Sequence, residues 1–134
     1  TIDDEAIKNC QRLWKLTIPS SVRSISSTAF IGSISKLEEL SYGVENVKYD
    51  LFNRAQNLKK ITLLEGVTSI EAQAFENCTS LTTLTLKTTI PPTLKNRALN
   101  STALTHIYVP AASVDTYKND RKWGVFADKI QAIP

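Results

Sequence analysis

The chain has 134 residues, of which 42% are hydrophobic and 22% charged, one domain's length with enough apolar content for a buried core. A net charge of +3 is too mild to point to nucleic acid, and no apolar run approaches the roughly 20 residues of a membrane span. Four Gly and five Pro exclude collagen-like and low-complexity classes. Because it begins on Thr1 rather than Met, the chain is expected to be a processed product or a fragment, with a signal peptide or anchor already removed.

Residues 1–5 read as a polar leader (Thr1, Asp3, Asp4, Glu5). Beyond it the chain repeats itself. The strings LWKLTI (13–18), LEELSY (37–42), LKKITL (58–63), LTTLTL (81–86) and LTHIYV (104–109) align, with apolar residues at their first, fourth and sixth positions. The first positions are Leu13, Leu37, Leu58, Leu81 and Leu104, at steps of 24, 21, 23 and 23 residues. The fourth are Leu16, Leu40, Ile61, Leu84 and Ile107. The sixth are Ile18, Tyr42, Leu63, Leu86 and Val109. After each string comes a second apolar pair: Val22 and Ile25, Val44 and Val47, Val67 and Ile70, and less cleanly Ile90 and Leu94. A pair ending in a bulky apolar residue opens each unit: Ala6-Ile7, Ala29-Phe30, Leu51-Phe52, Ala74-Phe75 and Ala98-Leu99.

Positions four and six share one strand face, because strand side chains alternate with period 2. The residue between them points to solvent: Thr17, Ser41, Thr62, Thr85 and Tyr108. A period near 23 lies in the leucine-rich-repeat range. One short strand per coil, stacked coil on coil, predicts an α/β repeat: a right-handed solenoid of about five coils with a parallel sheet on one face. The Ala-Phe segments suit a short helical turn on the opposite side. The array spans 1–110, its repeats starting near residue 6, and a short C-terminal capping segment spans 111–134, all in one structural domain. In that segment Ala111, Ala112, Val114 and Tyr117 suit one or two helical turns, and Trp123 and Phe126 are the expected lid residues. The N-terminal end has no comparable lid, so more chain, a partner or a neighbouring copy is expected to cover it.

The stretches AIKNCQRLWKLTIP (6–19), LTIPSSVRSISSTAF (16–30) and AFENCTSLTTLTL (74–86) carry Asn-Cys and Ile-Pro landmarks at constant offsets. They resemble the BspA-like (Treponema pallidum type) leucine-rich repeats of bacterial surface proteins. The resemblance covers about residues 6–110. Unit 29–50 departs from it, with neither Asn-Cys nor Ile-Pro, and its loops are expected to be distorted. The tail 107–134 is similar to the closing segment of such proteins from Bacteroides-type bacteria. The resemblance implies a secreted or surface-exposed, non-enzymatic protein, in some members an adhesin for host extracellular-matrix proteins. It supplies no catalytic residue.

Candidate chemistry is sparse. Cys10 and Cys78 occupy the same site three coils apart, roughly 14 Å along the stack at the usual strand spacing. A disulfide needs Cα atoms about 4.4–6.8 Å apart, so both are expected to be buried free thiols acting as small hydrophobes. His106 falls in the exposed column Lys15, Glu39, Lys60, Thr83, His106, without a nucleophile or orienting partner in its pattern. Lys15, Glu39 and Lys60 alternate in sign, which suits cross-strand pairing. Asn77-Cys78-Thr79 and Asn100-Ser101-Thr102 are formal glycosylation acceptors, expected to be unused in a bacterial protein. Lys118, Arg121 and Lys122 alternate with Asp115, Asp120 and Asp128 and read as a solvated face. No nucleophile-elbow, zinc-protease or phosphate-loop motif occurs, and neither cofactor nor metal is expected.

These readings converge on a cell-surface binding or adhesion module contacting a host matrix protein or glycan, with a structural spacer as the alternative. The expected ligand face is Lys60, Thr62, Thr85, His106 and Tyr108. It is polar and poor in the aromatic and Arg anchors that dominate tight interfaces, so weak binding is expected from one module. Trp14, Tyr108 and Tyr42 are the candidate anchors, and Tyr42 sits in a core column.

Overall fold

The computed structural model describes residues 1–30 and 32–134. Its strands follow one another in chain order as β1 (Lys15–Ile18), β2 (Glu39–Tyr42), β3 (Asn46–Val47), β4 (Lys60–Leu63), β5 (Ser69–Ile70), β6 (Thr83–Leu86), β7 (Thr93–Leu94), β8 (His106–Val109) and β9 (Ile130–Ala132). The helix α1 (Val114–Asn119) and two 3-10 segments, Ala111–Ser113 and Trp123–Lys129, lie between β8 and β9. A further 3-10 segment, Ile34–Lys36, sits in the unit that lacks the Asn-Cys landmark.

Two parallel sheets result. The larger runs β1-β2-β4-β6-β8-β9 and the smaller β3-β5-β7. Leu16, Leu40, Ile61, Leu84 and Ile107 pair in one row, and Lys15, Glu39, Lys60, Thr83 and His106 in the next. These rows are the columns of the sequence repeat. They arise because each unit has one apolar strand edge and only the neighbouring unit can cover it. From β2 onward the inward residues are sealed: Leu40, Ile61, Leu84 and Ile107 are at most 2% exposed. On the edge strand β1, Leu16 is only half-buried.

The smaller sheet carries the second apolar column, Val47, Ile70 and Leu94 in register. Separately, Ile2 makes an isolated parallel bridge to Ile25. Residues 1–5 are therefore not a free leader. Ile2 N–H donates to the Ser24 carbonyl and Ser26 N–H to the Ile2 carbonyl, at 2.9 and 2.8 Å. Asp4 accepts from the hydroxyls of Ser26 and Thr28, and those two bonds hold its carboxyl below the usual carboxylate range. In the fourth unit the pattern slips. The chain from Leu86 to Leu94 is one residue longer than from Leu63 to Ile70. Ile90, expected as a core partner of Leu94, is consequently 79% exposed.

The segments expected as helical turns are not helical. Left-handed residues recur there at repeat spacing: Asn9, Gly32, Arg54, Asn77 and Ser101 in one column, and Glu5, Asp50, Gln73 and Arg97 in another. Each interrupts right-handed winding, so the chain makes successive hydrogen-bonded turns instead. Those turns stack the aromatic column. Phe30, Phe52 and Phe75 lie ring on ring at centroid distances of 5.6 Å.

The C-terminal segment joins the array through side chains and through β9. Tyr117 and Trp123 are fully buried and meet edge to face at 5.7 Å. Trp123 Nε1–H donates to the Pro92 carbonyl at 2.8 Å. The Tyr117 hydroxyl bonds both the side chain and the carbonyl of Thr88, at 2.6 and 2.8 Å. Phe126 is half-buried beside Trp123. β9 pairs in parallel with β8, Ile130 with Ile107 and Gln131 with Tyr108, a strand the repeat pattern did not foretell.

Candidate functional site

The outer face of the larger sheet is where the expected ligand residues meet. Lys60 stands on β4 and His106 on β8, with Thr83 of β6 between them in one row. Thr62, Thr85 and Tyr108 form the adjacent row on the same three strands. Alternation drives them there. Ile61, Leu84 and Ile107 turn inward, so their neighbours on either side must turn out. Lys60 and His106 are exposed, while Thr62, Thr85 and Tyr108 are half-buried by flanking side chains. The two end strands lie about 10 Å apart, two strand spacings.

The face is not chemically uniform. The His106 and Tyr108 rings stack at 5.7 Å with an 18° tilt, two residues apart on one strand. His106 Nδ1 bonds the Thr105 hydroxyl at 2.9 Å. At the other end Lys15 pairs with Glu39 at 3.5 Å and Lys59 with Glu38 at 3.1 Å. Both pairs are solvated and contribute little to stability. The alternating column Lys15, Glu39, Lys60 thus pairs on one side only. Among the described residues Lys60 has no carboxylate within ion-pair distance. Trp14 precedes β1 at the sheet edge and is 56% exposed. Tyr42 belongs to the core: it is fully buried and its hydroxyl donates to the Asn46 carbonyl at 2.7 Å.

The two cysteines part company. Both are free thiols, but Cys78 is buried and Cys10 is exposed. Cys78 Sγ lies 3.3 Å from the Phe52 carbonyl of the preceding unit, and burial pushes its thiol up to about 12. Cys10 occupies the matching place in the first unit, whose turn has no preceding unit packed against it in the described structure. Equal position in the repeat therefore does not give equal burial. Lys118, Arg121 and Lys122 are all exposed. Asp120 accepts from the N–H groups of Lys122 and Trp123, at 2.8 and 3.0 Å, and turns the chain out of α1.

Among the described residues no group of three or more His, Cys, Asp or Glu side chains could hold a metal ion, and no helix is long and apolar enough to cross a membrane. Concave features are shallow. A groove of about 300 Å³ runs beside residues 88–93, and another of about 480 Å³ lies along Ser20, Gly43 and Gly66. What sequence reasoning did not reach are the contacts of Tyr117 with Thr88 and of Trp123 with Pro92. They join residues 29 and 31 positions apart and leave no local pattern.

Repeated parallel strands, in-register apolar columns and stacked turns define a leucine-rich-repeat protein. The chain matches the model of the BspA type leucine rich repeat region in six copies over residues 1–120, and it belongs to that family. No curated protein matches it.

Proposed function

We propose that the chain is a non-enzymatic binding module of a bacterial cell-surface protein, whose exposed sheet face contacts a host matrix protein or glycan. The supporting observation is the convergence of Lys60, Thr62, Thr85, His106 and Tyr108 on three adjacent strands, with an unpaired cation at one end and a stacked aromatic pair at the other. In this reading the units wind as a right-handed solenoid of about five coils over residues 1–110, and residues 111–134 cap it. The face then continues across coils, and adhesion comes from many weak contacts or many copies. Family membership supports an extracytoplasmic place for it.

The competing reading is a structural spacer. The solvated ion pairs and the lack of Arg on the face favour it, because tight interfaces concentrate aromatic and Arg anchors. Binding of the purified chain to an array of matrix proteins and glycans separates the two. The Lys60→Ala/Tyr108→Ala double variant is expected to lose binding while melting like the parent. Loss from Lys118→Ala/Arg121→Ala instead would move the site to the C-terminal segment. No binding above background would leave the spacer.

A further inference from the structure

The left-handed turns stack through alternate backbone groups. The N–H groups of Asp50, Phe52 and Arg54 donate to the carbonyls of Ala72, Ala74 and Glu76, at 3.3, 2.9 and 2.8 Å. One unit on, those of Gln73, Phe75 and Asn77 donate to Asn96, Ala98 and Asn100, at 3.2, 2.9 and 3.0 Å. By the same register, the donors of the last turn are the N–H groups of Arg97, Leu99 and Ser101. Among the described residues none of these three meets a backbone acceptor, because the chain that follows enters α1 and the 3-10 segment rather than another turn.

The surroundings of this open row are amphipathic. A groove of about 160 Å³ lies between the turn and the 3-10 segment, with Leu94, Leu99 and Phe126 in its lining and Val125, 74% exposed, beside them. A wider groove of about 550 Å³ runs between residues 93–96 and Glu71, whose carboxylate accepts from the Ser69 hydroxyl. Lys95 and Lys122 line both, and among the described residues neither has a carboxylate within ion-pair distance. Arg97 is already engaged by Glu76.

We propose that this last turn binds a short acidic peptide segment of a partner protein, wound through the same series of turns as residues 71–77. Alternate carbonyls of the peptide accept from Arg97, Leu99 and Ser101, as those of the following unit do for each of the two preceding turns. Its carboxylates face Lys95 and Lys122, and an apolar side chain rests on Leu99 and Phe126. The chain supplies its own example of the required chemistry. Residues 71–77 present Glu71, Phe75 and Glu76 around the carbonyls of Ala72, Ala74 and Glu76, which already satisfy the equivalent row of Asp50, Phe52 and Arg54, two units before the last turn. A uronic-acid polymer would match the lysines but leave the N–H row and the apolar lining without partners. This surface lies off the outer sheet face, so it stands or falls apart from the reading above.

The test is amide NMR on the whole chain, with the acetylated and amidated peptide of residues 71–77 as the probe. In the free protein the amides of Arg97, Leu99 and Ser101 are expected to exchange rapidly with solvent, while those of Gln73, Phe75 and Asn77 are protected. Peptide should shift the first three and slow their exchange. The Lys95→Ala/Lys122→Ala variant, altered only at exposed positions, should bind about tenfold more weakly. Protection of the three amides in the free protein would overturn the proposal. So would the absence of shifts at millimolar peptide, equal binding of a peptide with both Glu replaced by Lys, or the same shifts from polyglucuronate.

Discussion

The ring of Phe52 lies 5.6 Å from that of Phe75 and within 6° of parallel. Phe30 stacks on its other side at 5.6 Å, and Tyr42 meets it edge-on at 5.9 Å. Phe52 is thus the residue through which three successive units and the larger sheet touch one another. Phe52→Ala should cost roughly 3–5 kcal/mol, because both flanking rings lose a partner and the void cannot collapse between rigid turns. Phe52→Leu, which keeps most of the volume, should cost under about 1.5 kcal/mol. Urea unfolding of the two variants checks the order. Equal midpoints would mean that the column is not a continuous core.

Leu84 tests the register itself. It is fully buried between Ile61 and Ile107 on the neighbouring strands. Leu84→Asp places an unpaired carboxylate there, and the expected outcome is an unfolded or grossly destabilised chain. Thr85→Asp, one position along on the outer face, should melt within about 0.5 kcal/mol of the parent. The contrast isolates the face from the substitution, and similar melting of both variants would contradict the pairing.

The two thiols should react at very different rates. Cys10 is exposed and Cys78 buried with a raised thiol pKa, and only the thiolate reacts. In native buffer a disulfide-exchange reagent should modify Cys10 promptly and Cys78 only after urea unfolds the chain. Peptide mapping identifies which cysteine carries the label. Two fast thiols, or none, would contradict this burial pattern.

Much of the array was legible because one physical constraint writes itself into every unit. An apolar residue on each short parallel strand must face the same interior, so the column Leu16, Leu40, Ile61, Leu84 and Ile107 can be read from residue spacing alone and reappears as hydrogen-bonded register. The outer rows follow by alternation, and with them the gathering of Lys60, Thr62, Thr85, His106 and Tyr108. Other features were not legible. The left-handed columns carry a local signal at Asn9, Gly32 and Asn77, but Arg54 and Gln73 adopt the same conformation only because stacking imposes it. Ile2 reads as part of a polar leader because its contact with Ile25 is a single isolated bridge, too short to leave a repeat pattern. Cys10 is exposed because burial depends on what lies on both sides of a unit. β9 is a three-residue strand outside the repeat, recruited by the free edge of β8.

The attachment of the C-terminal segment combines β9 pairing with polar bonds from Tyr117 and Trp123 inside an apolar junction. Trp123→Phe keeps most of the packing on Tyr117 but leaves the Pro92 carbonyl without its Nε1–H donor. The expected cost is about 1–3 kcal/mol, the penalty for an unsatisfied buried acceptor. Gly124 is a second sensitive point. A Cβ there would come within 2.7 Å of the Lys118 carbonyl, so Gly124→Ala must shift the end of α1. Hydrogen exchange should show both variants loosening Ile107 and Val109 of β8 before β2 and β4. Uniform loosening would place the weakness elsewhere.

Alkaline pH should unfold the protein earlier than its surface charge suggests. Burial pushes the Tyr117 phenol up to about 12, helped by the nearby Asp120 charge and opposed by the bond to Thr88. Burial also raises the Tyr42 phenol well above its ordinary 10.0, and takes the Cys78 thiol from 9.0 up to about 12. In each case the folded group holds its proton to higher pH than the unfolded chain does. Between about pH 9 and pH 12 the unfolded state therefore binds fewer protons, and the slope of unfolding free energy against pH is negative. This contribution is fully present below about pH 9 and is lost as pH rises through that window. Urea midpoints should be level from about pH 7 to pH 9 and fall steadily above it. Tyr42→Phe should lower the plateau by about 0.5–1.5 kcal/mol through loss of the bond to the Asn46 carbonyl. It should also flatten the alkaline slope, since one of the groups driving it is gone. A slope unchanged in Tyr42→Phe would mean that this phenol ionises alike in the folded and unfolded chain.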